Sequence, residues 1–210
     1  MKEFSLIAVS LITILLTIKY IYQLVKQQIK PALAMWIMFS VAVGMSMTTY
    51  LAEGDYGFLD NIQNTVDLFY VATVTASILI FGDKKSKISR FDLACLGAVF
   101  FIVVFWVISQ NHLVTNILIQ SILVIAYFPV IQRMLKTREN SESFVIWLGM
   151  MIAPVISLLS SKGLLATVYS VRAIFCIGFL LILMLWIEIL ARKKYPYIRK
   201  QQRVKKSLLK

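Results

Sequence analysis

Few ionisable side chains fall well inside the long apolar runs of this sequence, and two of them, Asp67 and Arg172, carry opposite charge. A charge within hydrocarbon costs roughly 2.5 to 3.5 kcal/mol on insertion scales, so a charged residue kept there points to a site. Asp67 lies about one turn inside its run and Arg172 about two turns inside another. Two readings fit. Either the pair faces a common central cavity and forms an ion pair that closes or shapes its mouth, or each side chain snorkels to headgroups at the same membrane face. Around Asp67 a polar stripe of Asn64, Asp67, Tyr70, Thr73 and Ser77 recurs at spacings of three and four, which predicts one helical face. Tyr169, Arg172 and Cys176 repeat the spacing in the later run. Facing stripes of this kind would line a pocket or pore.

Other residues extend the list. Asn116 and Gln120 lie in a third apolar run, placed to hydrogen-bond either a solute or a neighbouring helix. Trp36 and Trp147 each open an apolar run, where indole serves as an interfacial anchor or as a surface on which a flat solute stacks. Tyr127 stands beside Pro129 and is a candidate gate. Pro129 and Pro154 each remove one backbone hydrogen bond inside an apolar run, so each predicts a kink, fixed or working as a hinge. Gly149 would let a neighbouring helix approach closely.

Enzyme chemistry finds little footing. The one histidine, His112, sits in a short connection without a second ligand, which supports neither a metal site nor a histidine base. No phosphate-cradling glycine loop or nucleophile elbow is present, and no cofactor is implied. The two cysteines, Cys95 and Cys176, both fall inside apolar runs, where a small apolar-like side chain is the ordinary role.

The elements that must position these residues follow from composition. The chain has 210 residues, of which 60% are hydrophobic and only 15% charged. Its mean hydropathy is +0.81. Those values describe an integral membrane protein, and the unbroken apolar runs argue for helices about 20 residues long. Seven spans are predicted, at about 4–25, 32–51, 63–82, 91–109, 113–133, 143–161 and 165–190. The connections are too short for a separate soluble domain. The opening "MKEFSLIAVSLITILL" lacks the small-residue cleavage pattern of a secretory signal and is read as the first span.

Charge orients the spans. Lys26 and Lys30, then Lys84, Lys85, Lys87 and Arg90, then Arg133, Lys136 and Arg138 fill the connections on one side. The opposite side holds Lys2, Glu53, Asp55, Asp60, His112 and Lys162. Lysine and arginine in short loops resist translocation, so the N-terminus is expected outside and the C-terminus in the cytoplasm of a cell (inner) membrane. The tail 192–210 carries nine basic residues and no acid, with Tyr195 and Tyr197 among them. The net charge of +12 therefore predicts contact with anionic lipid headgroups at that tail rather than with nucleic acid.

The sequence also suggests internal duplication. When "YQLVKQQIKPALAMWIMF" is laid over "IQRMLKTRENSESFVIWLGM", Gln23 falls on Gln132 and Trp36 on Trp147. "TVDLFYVATVTASILI" likewise matches "TVYSVRAIFCIGFLLI". Residues 1–82 and 113–191 become two three-helix bundles, 83–112 a linker helix, and 192–210 the tail. An odd linker keeps both bundles in the same orientation, which gives a parallel 3+1+3 repeat.

With the cytoplasmic stretch "YFPVIQRMLKTRENSESFVIW", this plan resembles the PQ-loop group of seven-helix proteins, which includes the SWEET sugar transporters and the lysosomal amino-acid exporters. The chain departs from the group's adjacent proline and glutamine, having Pro129 and Gln132, and its first repeat reads "KYIYQ" with no proline. The resemblance implies a transporter moving a small polar solute (sugar, amino acid or vitamin-like) by alternating access, with Pro129 and Pro154 as hinges. The second class is a non-transporting membrane receptor or assembly protein of the same fold. A homo-oligomer is compatible with both.

Overall fold

The computed structural model describes residues 1–82 and 90–194. Lys84, Lys85, Lys87 and the tail with Tyr195 and Tyr197 lie outside the described residues, so the expected lipid contact of the tail does too.

The described chain is helical throughout. Its elements are α1 (Lys2–Val25), α2 (Leu33–Glu53), a short 3-10 turn (Phe58–Asn61), α3 (Ile62–Phe81), α4 (Arg90–Ser109), α5 (His112–Ile125), α6 (Phe128–Thr137), α7 (Phe144–Ser157) and α8 (Gly163–Lys194). Helix starts follow local chemistry. Asn61 accepts the Asn64 N–H at 3.3 Å to cap α3, and Asn111 accepts the Val114 N–H at 3.0 Å to cap α5.

Five helices are long and apolar enough to cross a membrane: Lys2–Val25, Leu33–Glu53, Phe58–Phe81, His112–Thr137 and Gly163–Leu190. Two shorter apolar helices, Leu93–Ser109 and Phe144–Ser157, complete the set. The expected span 143–161 is therefore cut short. After Ser157 the chain folds on itself: the Ser157 carbonyl accepts the N–H groups of Ser160 and Ser161, both at 3.0 Å, and both of their hydroxyls. Serine hydroxyls competing for backbone carbonyls end a helix in this way.

The expected span 113–133 is broken in two. Pro129 has no N–H to give the Ile125 carbonyl, and the Tyr127 N–H turns to Val124 at 3.2 Å, so α5 ends and α6 begins afresh with proline in its first turn. Pro154, by contrast, lies inside a continuous α7. No such break occurs in α2, which runs through Gly44 without interruption.

Packing is reciprocal. Within the first three helices, α3 packs against both α1 and α2; within the last group, α8 packs against both α5 and α7. Between the groups, α1 packs on α7 and α2 on α5, while α4 leans on α5 and α2. Close approach of α1 and α7 needs Gly149, because a Cβ there would stand 2.6 Å from Leu16 Cδ2.

Each end of the bundle is tied across the two groups. At one end the Lys162 N–H donates to the Asp60 carbonyl at 2.9 Å, Tyr50 Oη donates to the Lys162 carbonyl at 2.9 Å, and Tyr56 stacks on Tyr50. Asp60 also accepts Lys2 Nζ at 2.9 Å. Gly163 at φ 81° is obligatory for that corner, since a Cβ would lie 2.7 Å from Tyr56 Oη. At the other end the Lys30 N–H reaches the Ser141 carbonyl at 3.3 Å.

Candidate functional site

At the centre, where α2, α3, α5, α7 and α8 meet, lies a void of about 30 Å³ lined by residues that include Trp36, Gln63, Asp67, Tyr127, Tyr169 and Arg172. Such a volume admits water and nothing larger. The helices bring both charged residues to its lining.

The expected ion pair between them does not form. Asp67 is held instead by neutral donors, Gln63 Nε2 at 2.9 Å and Tyr169 Oη at 2.9 Å. Arg172 donates through Nε to Gln120 Oε1 at 3.2 Å and lays its guanidinium over the Tyr169 ring, 4.8 Å from the centroid. Tyr169 thus stands between the opposite charges, its hydroxyl on one and its face on the other.

From Arg172 a buried polar chain runs across three helices. Gln120 Nε2 donates to Asn116 Oδ1 at 3.0 Å and to Ser46 Oγ at 3.3 Å. Asn116 Nδ2 donates to Thr49 Oγ1 at 2.8 Å and to the Ser46 carbonyl at 3.0 Å. The Asn64 amide meets Ser46 Oγ at 3.0 Å; oriented so that both its ends are satisfied, it donates to the Val43 carbonyl at 3.1 Å and accepts the Met47 N–H. Asn116 and Gln120 bond their neighbours rather than line the void, and Asn64 does likewise.

Tyr70 and Thr73 part from the expected face. Successive steps of three residues each drift by about 60° on a helix of 3.6 residues per turn, so three steps carry Thr73 to the side opposite Asn64. Thr73 is exposed and lines an apolar groove of about 520 Å³ between α1 and α3. Tyr70 is buried among Tyr20 and Trp36, with ring centroids 6.3 Å and 5.6 Å away.

The tryptophans are not interfacial anchors. Both are fully buried, and an anchor needs a headgroup-facing edge. Trp36 lines the void and packs edge-on against Tyr20 at 5.1 Å. Trp147 sits against Tyr127 at 5.8 Å, and Tyr127 against Phe39 at 5.1 Å, which closes the void toward α6 and leaves Trp147 behind the wall.

Behind that wall lies a second polar cluster that the sequence reading passes over. Glu142, with a fully buried side chain, faces Arg133 Nη2 at 3.5 Å and accepts Trp147 Nε1 at 3.4 Å. Arg133 Nη2 also donates to Ser141 Oγ at 2.9 Å. Burial pushes the Glu142 carboxyl up to about 7, although Arg133 and the Trp147 indole both pull it down. Arg133 Nε is a buried polar atom with no partner among the described residues. In sequence Glu142 reads as one charge among several in a polar loop. Gln63 carried a usable signal, its place four residues before Asp67 on one helix.

No family model, curated protein or solved structure matches the chain.

Proposed function

We propose that this chain is a membrane transporter for a small polar solute, working by alternating access around the void between its two helix groups. The observation that carries the reading is the void itself, a narrow pocket at the junction of the groups in which Asp67 and Arg172 stay unpaired with each other. Opposite charges kept apart inside an apolar bundle are costly to keep, since apolar packing would serve stability at less cost.

Reciprocal packing supports the duplicated 3+1+3 plan and, with it, the likeness to PQ-loop and SWEET-type proteins. If α1 corresponds to α5 and α6, α2 to α7, and α3 to α8, then the α1 contact with α7 and the α2 contact with α5 become one contact seen twice. Seven crossings follow, with α4 as linker, the N-terminus outside and the C-terminus in the cytoplasm of a cell membrane. In this reading the Asp60 and Lys162 tie closes the outer end, while Tyr127, the Pro129 break and the Lys30 and Ser141 contact close the inner end. Opening one tie while the other holds would expose the void to one side at a time.

Thermal stabilisation of the purified chain across sugars, amino acids, nucleosides and vitamins tests the proposal, followed by uptake into proteoliposomes of whichever solute stabilises it. Stabilisation with uptake supports a transporter. A copurifying protein, with no solute response, would instead favour a receptor or assembly factor.

A further inference from the structure

We infer that the solute is a zwitterion, a small α-amino acid with an apolar side chain whose carboxylate is held by Arg172 and whose ammonium is held by Asp67. This rests on the transport reading and narrows it to one chemical class.

The lining presents one carboxylate and one guanidinium, and the structure keeps them from neutralising each other by inserting Tyr169. Among the described residues, Nε is the one guanidinium nitrogen of Arg172 with a hydrogen-bond acceptor, which leaves its two terminal nitrogens for a ligand. A neutral sugar would meet the two groups with hydroxyls but leave both charges uncompensated once water is expelled. A simple cation would answer Asp67 alone, and a simple anion Arg172 alone. An α-amino acid carries both opposite charges one carbon apart and answers both.

One further atom on the same lining agrees. Gln63 Oε1 is a buried acceptor without a partner among the described residues. A ligand bringing an ammonium supplies a donor for it. The rest of the wall is apolar, with Phe39, Val43, Val71, Leu123, Met150 and Ile177, which suits an aliphatic or aromatic side chain.

The void of about 30 Å³ is too small for such a solute, so binding must widen it. The Tyr169 hydroxyl, now donating to Asp67, occupies the site that the ammonium would take. Displacing it couples ligand arrival to movement of α8 relative to α3, because the bond it leaves joins those helices.

The test uses the full chain in detergent, with thermal unfolding and calorimetry. The probes are glycine, alanine, leucine and phenylalanine, together with leucinamide, which lacks the carboxylate, and 4-methylpentanoate, which lacks the ammonium. Glucose and uridine serve as neutral controls. At least one of the four amino acids should raise Tm, and for leucine each truncated analogue should bind about tenfold or more weakly. In Arg172→Gln, leucine and leucinamide should bind alike; in Asp67→Asn, leucine and 4-methylpentanoate should.

Stabilisation by glucose or uridine and by none of the four amino acids would overturn the zwitterion assignment and leave the transport reading standing. Equal binding of leucine and its two analogues to the wild-type chain would overturn it as well, without need of any variant. No response to any solute, with no uptake, would overturn both.

Discussion

Glu142 offers the sharpest test of the packing, because its prediction needs no ligand. The carboxyl is buried and pushed from the ordinary 4.5 up to about 7, burial outweighing Arg133 and the Trp147 indole. A folded-state value above the unfolded one means that the folded chain holds a proton which the unfolded chain has released. The contribution is then fully present below about 4.5 and is lost as pH rises through about 7. The interval between the two values corresponds to about 3 kcal/mol at 1.36 kcal/mol per unit.

Glu142→Gln removes the titration while keeping an oxygen that can accept the Trp147 N–H. The wild-type chain should therefore lose up to about 3 kcal/mol of stability relative to Glu142→Gln between pH 4 and pH 8. The two chains should be nearly equal at about pH 4. Denaturant unfolding in a fixed detergent measures the difference, and subtracting one chain from the other cancels every other titrating group. Intrinsic fluorescence gives a second readout, since Trp147 touches the carboxylate: a transition near neutral pH should vanish in Glu142→Gln and in Trp147→Phe. A wild-type stability that rises from pH 5 to pH 8 relative to the glutamine variant would refute the reasoning, for it would mean that Glu142 is ionised and satisfied when folded.

Three further outcomes are expected. Tyr169→Phe deletes the hydroxyl on Asp67 and should cost about 1.5 to 3 kcal/mol in unfolding free energy, the range for hydrogen bonds to charged groups, while the ring contact with Arg172 persists. Gly149→Val should destabilise by about 1 to 3 kcal/mol because its side chain meets Leu16, and adding Leu16→Ala should recover part of the loss, as a double-mutant cycle would show. Tyr50→Phe should cost about 0.5 to 1.5 kcal/mol by freeing the Lys162 carbonyl, and should speed labelling of a cysteine placed at Asn64 beneath that end.

Helical class and most element positions were legible because apolar runs and their interruptions are a strong one-dimensional signal. Pro129 announced the break between α5 and α6 through covalent chemistry alone. For Asp67 and Arg172 the energetic penalty of a lipid-facing charge left two readings, a common cavity or the headgroups, and spacing alone did not choose between them. Their failure to pair was not legible, because it depends on Gln63, Tyr169 and Gln120 arriving from three helices with competing partners. Thr73 misled because a spacing of three looks periodic while it steadily rotates away. Glu142 was hidden for the opposite reason: a loop acid looks solvated until the fold closes Trp147 and Arg133 around it.

The break before Pro129 has a mechanical meaning. Helix α6 has 10 residues, which at about 1.5 Å per residue makes an arm of about 15 Å. A swing of only about 10° at Tyr127 moves the far tip of that arm by ~2.6 Å at this rise. Arg133 rides midway along it, so even a small swing changes its separation from Glu142 by about an ångström, enough to make or lose a contact that now stands at 3.5 Å. One short arm would therefore gear a rotation beside the void to the buried acid behind the wall, in a ratio set by where along the arm the arginine sits.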